Sequence, residues 1–439
     1  MKHLYIILFV LPLMGFGQEW EQIYTLSPEY ETGVYVQEKN NEGYLVYGSI
    51  YNNETTSQSL GSIYLLNTDG FGSEVSLQIG DEINGLSIND IDQTIDGGHV
   101  IFGTISMSPP LPGGYTPDVC IIKMDDSGNE EWTQTYGYGY SGGLEQNPDG
   151  GYVFIVNKTN YPFDYGGFMF KTNSTGDTIW TQQLNENGGL HSIQPTLDGG
   201  YIIIGETMLQ SPTDENISLY KTDENGNIEW VKNFGTSTYY ENGYNVISTI
   251  DGGYIISGTR EIYPLTDKDI YIIKTDENGD EEWSQTYDGS GGDDWGYIQQ
   301  TIDGGYILYG QTIVSQDDQN SDVYLIKIDG SGNEVWSRTF GDINNEIRFD
   351  MCSYLDQTSD GGYVLTGNSF YNFDSSNTYM IKTNEWGSIT STIELPTPTS
   401  KRELVKTTNI LGQENTTIKN QPLIEIYDDG STEKKIVLE

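Results

Sequence analysis

Apolar runs of a few residues, such as Tyr254-Ile-Ile-Ser257 and Ile270-Tyr-Ile-Ile273, recur in pairs along the chain, each bounded by Gly, Asp and Asn. Runs that short, apolar on both sides, read as strands covered on two faces rather than as amphipathic helices. The pattern has a long period. Gly-Tyr pairs open the first run of each unit at Gly43, Gly151, Gly200, Gly253, Gly305 and Gly362, with Gly98-His99 as the variant. Successive Gly numbers differ by 55, 53, 49, 53, 52 and 57. A period near fifty with four strand-like runs is that of a propeller blade. The expected fold is therefore all-β: a seven-bladed β-propeller of four-stranded antiparallel blades, plus a short C-terminal β tail.

In the fifth unit the strands are expected over Tyr244 to Thr249, Tyr254 to Thr259, Asp269 to Thr275 and Glu282 to Tyr287. Asp-Gly-Gly and Asp-Glu-Asn-Gly supply two hairpin turns, because Gly accepts positive φ and Asp bonds its own turn backbone. Trp132, Trp180, Trp230, Trp283 and Trp336 start fourth strands, where a large ring wedges against the next blade. Trp20 has the same surroundings but precedes the first unit, so it belongs to a strand that completes the last blade. Unit seven offers a competing fourth strand at Ile389 to Leu395.

The ends differ from the repeats. Lys2, the apolar Leu4 to Met14 and the small residues Gly15 and Gly17 read as a signal peptide over 1–17, followed by a propeller over 18–395. Pro396 to Ser400 begins a stiff linker, 396–403, and 404–439 reads as three short strands with a turn at Asp429-Gly430. No other segment is apolar for long enough to span a membrane. The expected location is secreted or at the cell surface, as a monomer.

Composition sharpens this picture. With 33 Tyr and 53 Gly the chain is one of strands and turns. A formal net charge of -45 argues against nucleic-acid and anionic-membrane partners. Cys120 and Cys352 fall in units two and seven, on either side of unit one, and are expected as two buried thiols. His99 replaces the repeat Tyr and is expected in the core.

Candidate chemistry sits in two places. Variable connections on one face of the ring carry aromatic residues suited to stacking on sugars or anchoring a protein: Tyr138, Tyr140, Tyr165, Tyr239, Tyr240, Trp295 and Tyr371. The alternative is that these rings fold back over the blade ends, although the run Tyr136 to Tyr140 has little of its own to pack on. Four residues before the turn Asp of each unit, the innermost strands place Gln37, Asp92, Glu145, Gln194, Gln299 and Asp356 along the axis; Ile247 breaks the series. They line a channel or simply solvate a water-filled hole. Asp223 to Asn227 and Asp276 to Asp280 share spacing with fragments of calcium loops, but Tyr287 stands where the bidentate Glu would be, so hairpin turns are expected. No cofactor and no metal site is expected, with calcium the one cation considered.

The Asp-Gly-Gly-Tyr…Lys-Thr-Asp-x-x-Gly-x-x-x-Trp units resemble secreted Bacteroidetes propeller repeats. The spacing Asp276…Gly279…Trp283 is similar to the tryptophan docking motif of quinoprotein propellers, one residue shorter and lacking its Thr. The tail, through Leu404-Val-Lys…Ile410-Leu-Gly-Gln-Glu and Ile426-Tyr-Asp-Asp-Gly-Ser-Thr-Glu-Lys-Lys, resembles a type IX secretion sorting domain. That resemblance implies export and an encounter with the type IX machinery. Together these readings point to a binding or adhesion module for an extracellular glycan or surface protein. The alternatives are a polysaccharide-degrading enzyme using Asp92, Glu145 and Asp356 as acid and base, and a structural surface protein.

Overall fold

The computed structural model describes residues 19–27, 30–39, 43–52, 60–106, 117–160, 164–186, 188–208, 215–236, 239–262, 268–289, 293–315, 320–341, 348–371, 375–389, 404–409, 422–427 and 432–436. The chain divides into two compact units, Met1–Ile389 and Thr390–Glu439. The first is a seven-bladed propeller of four-stranded antiparallel blades. Its innermost strands are Tyr30–Glu38, Ser87–Gln93, Tyr140–Gln146, Leu190–Pro195, Tyr239–Ser248, Asp293–Gln300 and Arg348–Gln357. In the second unit Leu404–Asn409, Pro422–Tyr427 and Thr432–Ile436 form a three-stranded antiparallel sheet.

Each blade is a meander whose middle strands are buried on both faces. In blade five, Ile255, Ile256, Ile272 and Ile273 have no exposed surface. Neighbouring blades supply the cover: Ile202, Ile204 and Leu219 of blade four pack against Tyr254, Ile256 and Ile273, while Ile255 and Ile272 meet Leu308 and Ile326 of blade six. A single such sheet would leave both of these faces wet, so the ring is what makes its burial possible.

Trp20–Tyr24 pairs antiparallel with Ser375–Thr383, from Trp20 opposite Lys382 to Tyr24 opposite Thr378. The N-terminal strand therefore supplies the outer strand of blade seven and closes the ring. The competing strand does not fill that place: Ile389 is outside any strand, and 390–395 lie outside the described residues. Closure is also sewn at the turns, where Glu38 of blade one accepts from the Ser359 N–H of blade seven at 2.7 Å.

The tryptophans act as wedges between blades. A Cβ built at Gly332 would lie 2.8 Å from the Trp283 ring, and Trp132, Trp180, Trp230, Trp336 and Trp20 crowd Gly176, Gly226, Gly279, Gly387 and Gly72 in the same way. Each ring sits over the glycine of the next blade's third turn. Several then meet that blade's Gly-Tyr ring edge-on, as in Trp132 to Tyr152 at 5.9 Å and Trp20 to Tyr44 at 5.6 Å. Blade one has no tryptophan there, and Leu65 and Gln78 cover Gly128 instead.

The lysine of the Lys-Thr-Asp element carries more than a strand end. Lys123, Lys221, Lys274, Lys327 and Lys382 are buried. Lys274 Nζ reaches Asp251 at 3.0 Å, Glu282 at 3.0 Å and the Thr275 carbonyl at 2.9 Å. The lysine thus ties the Asp-Gly-Gly turn to the third and fourth strands of its own blade. Cys120 and Cys352 are buried free thiols, and burial pushes the Cys120 thiol up to about 12.

Candidate functional site

A cavity of about 670 Å³ lies on the axis of the propeller. It is lined by stretches of the inner strands, including Ser87 to Asp90, Ser141 to Glu145, His191 to Gln194 and Tyr244 to Asn245, and by Tyr51 and Asn368 where second strands end. The lining stops short of Gln93, Gln146, Gln300 and Gln357 beside the Asp-Gly-Gly turns and takes in Tyr51 and Asn368 toward the other end, so the cavity lies toward the face of the variable connections.

All seven inner strands carry a register shift against their second strand, between Gly33 and Tyr35, Ile88 and Asp90, Ser141 and Leu144, Leu190 and Ser192, Gly243 and Asn245, Asp294 and Tyr297, and Cys352 and Tyr354. A bulge re-aims side chains and bends the strand. Here it falls beside the cavity in every blade. Past the bulge the register is regular, and two residues of an inner strand reach the lumen region, not one: Asp90 with Asp92, Asn245 with Ile247, and Tyr297 with Gln299 all line the cavity. Asp90, Asn245, Tyr244, Tyr297, Tyr354 and His191 are thus site residues beyond the expected series. The signal for several of them is strand alternation, which turns the residue two before each axial position the same way.

The expected axial residues divide into groups. Asp92 and Glu145, on adjacent blades, come together with Asp90. Gln194 donates from Nε2 to Glu145 Oε1, and the Leu144 N–H donates to Asp90 at 3.2 Å. Gln299 and Asp356, on blades six and seven, form a second pair. Gln37 donates to Gln93 at 2.6 Å, nearer the turn face. Ile247 lines the cavity as its apolar interruption. Burial raises the Asp90, Asp92 and Glu145 carboxyls, and mutual repulsion raises Asp92 and Glu145 further. Burial likewise raises Asp356. Asp90, Asp92 and Glu145 line the cavity while packed among protein atoms, and that partial loss of hydration disfavours their charged form.

The rim tyrosines fare differently. Tyr140 is 53% exposed and opens the inner strand of blade three. Tyr138 is half-buried at the end of the blade-two outer strand. Tyr239 and Tyr240 lie in the inner strand of blade five rather than in a connection, and the Arg260 guanidinium covers the Tyr239 ring at 4.8 Å. Tyr165, Trp295 and Tyr371 fall within strands, with their side chains outside the described residues. Tyr136 is not part of a free platform: it packs on Phe154 at 4.6 Å and donates to the Gly176 carbonyl at 2.8 Å. The Asp276 carboxylate accepts from the Asn278 and Asp280 N–H groups at 2.9 and 2.8 Å, as a hairpin-closing Asp does.

No family model and no curated protein matches the chain. Solved structures do. A protein of unknown function from Bacteroides caccae is 10% identical, with 66% of this chain and 91% of that one covered at a TM-score of 0.41. One from Dyadobacter fermentans is 10% identical over 81% and 98% of the two chains, with a TM-score of 0.41. The β-propeller domain of the Trilobed protease from Pyrococcus furiosus is 9% identical over 80% and 95%, with a TM-score of 0.46.

Proposed function

We propose that this chain is an extracellular binding module that takes a polyhydroxylated ligand, a glycan or a fragment of one, into the axial cavity from the face of the variable connections. The observation that carries this reading is the cavity wall itself. Tyrosine rings (Tyr244, Tyr297, Tyr309, Tyr354) alternate there with hydrogen-bonding groups from Asn89, Gln194 and Asn245. Rings beside amide and carboxyl groups suit the apolar faces and hydroxyl edges of a sugar. Tyr138 and Tyr140 extend the surface outward from the same face. Export rests on the signal-like N-terminus and the sorting-like tail, and cell fractionation with antibody detection tests it.

A glycan array probed with the full chain tests the ligand class. Binding is expected, and Ser87→Trp, which places a large ring at an exposed position of the cavity wall, is expected to remove it. Tyr140→Ala should weaken it by about tenfold or less. An array that stays silent, or binding that survives Ser87→Trp unchanged, overturns this reading. The paired, raised Asp92 and Glu145 carboxyls also favour a second reading, glycoside hydrolysis with one of them as general acid. Release of reducing ends from an array-positive glycan, lost in Glu145→Gln, is its test.

A further inference from the structure

The cavity gathers carboxyl groups that have no cation beside them among the described residues. Asp90, Asp92 and Glu145 face one space from two adjacent blades, and no Lys or Arg lines it among the described residues. Asp92 makes no hydrogen bond among the described residues; it feels the like charges of Asp90 and Glu145 and lies near the Tyr35 and Tyr354 hydroxyls. Asn245 Oδ1 and Gln299 Oε1 are enclosed acceptors without a donor. Such a wall calls for a partner rich in donors. A hydroxyl brings one donor, whereas an ammonium group brings three and a positive charge. The Tyr244, Tyr297 and Tyr354 rings line the same space, and aromatic rings favour a cation over a neutral group.

From this geometry we infer that the axial cavity selects a ligand bearing a primary ammonium group, seated between Asp90, Asp92 and Glu145. The inference rests on the cavity-binding reading above and narrows its ligand to an amine-bearing one. Binding is then coupled to proton release, because a cation between carboxyls that burial and repulsion keep protonated favours their ionised form. Other titratable groups facing the space are His191, whose Nε2 lies 3.9 Å from Glu206, the tyrosines named above with Tyr51 and Tyr309, and the Cys352 thiol.

Isothermal titration of the full chain at pH 7 decides the point, using glucosamine trimer, N-acetylglucosamine trimer and 1,4-diaminobutane in two buffers of different ionisation enthalpy. The expected result is that the glucosamine trimer and the diamine bind with proton release, at least about tenfold tighter than the acetylated trimer. The Asp92→Asn/Glu145→Gln double variant should lose both the preference and the proton release while keeping its thermal midpoint, since both groups are replaced by isosteres of their neutral forms. Equal binding of the two trimers overturns the ammonium inference and leaves the glycan reading standing. Binding of the diamine alone does the reverse. Failure of all three overturns both, and a preference that survives the double variant overturns the seat at these carboxyls.

Discussion

His99 stands where six other repeats have Tyr, and its ring packs on Tyr47 at 4.7 Å and Tyr35 at 5.7 Å. Burial first, and Lys123 second, lower its pKa to about 4. The unfolded chain therefore takes up this proton more readily than the folded one. The resulting stability is whole above pH about 6.5 and is lost as pH falls toward about 4, by an amount on the order of 3 kcal/mol. His99→Tyr is expected to lose less stability between pH 7 and pH 4.5 than the parent in paired denaturant titrations. The buried lysines give a second residue-scale test. Lys274→Met should lower stability by about 2 to 3 kcal/mol, less than for a fully buried pair, because Asp251 and Glu282 are half-exposed and rehydrate. Urea unfolding of the variant checks it. The core place of His99 was legible from its position in the repeat, while the role of the lysine was not. The Lys-Thr-Asp element reads as a strand end, and only the fold shows that its lysine points back under the turn to two acids from different strands.

At the scale of the element, turns and strands were open to reading because Gly, Asp and two-sided apolar runs are local signals. The wedge can be tested with two glycines of similar backbone. Gly332 has φ 81° with the Trp283 ring 2.8 Å from its Cβ site, and Gly304 has φ 83° with open space around it. Gly304→Ala should cost about 1 kcal/mol for the left-handed backbone alone. Gly332→Ala should cost about 2 kcal/mol more, and Trp283→Ala about 3 to 5 kcal/mol through lost packing. Thermal melts of the three variants measure the difference; equal losses at the two glycines would remove the wedge from the account. The bulges were not legible. An extra residue in an inner strand leaves no mark in composition, whereas Asp90 stands beside Asp92 by strand alternation, the bulge falling before Asp90. The polar axial series was therefore recognised, while half of the cavity wall was not.

For the whole molecule, blade number and the role of Trp20 follow from periodicity, because a ring constrains every unit alike. The ligand does not, since the cavity is assembled from different blades and no single unit contains it. The net charge of -45 predicts self-repulsion, so the thermal midpoint should rise as sodium chloride increases from about 0.01 to 0.5 M, where screening shortens the Debye length several-fold. A flat response in a melt series would show that the charges are already balanced locally. Removing residues 1–24 should lower the midpoint and promote aggregation in size-exclusion chromatography, because Ser375–Thr383 would become an open edge. The same closure sets an order of events. The strand that finishes the ring is made first and its partner last, so the N-terminal strand must wait, unpaired, until the seventh blade exists. A chain threaded through a membrane pore can accordingly remain unsealed for the whole of its passage, and it locks only when its two distant ends have both arrived on the same side.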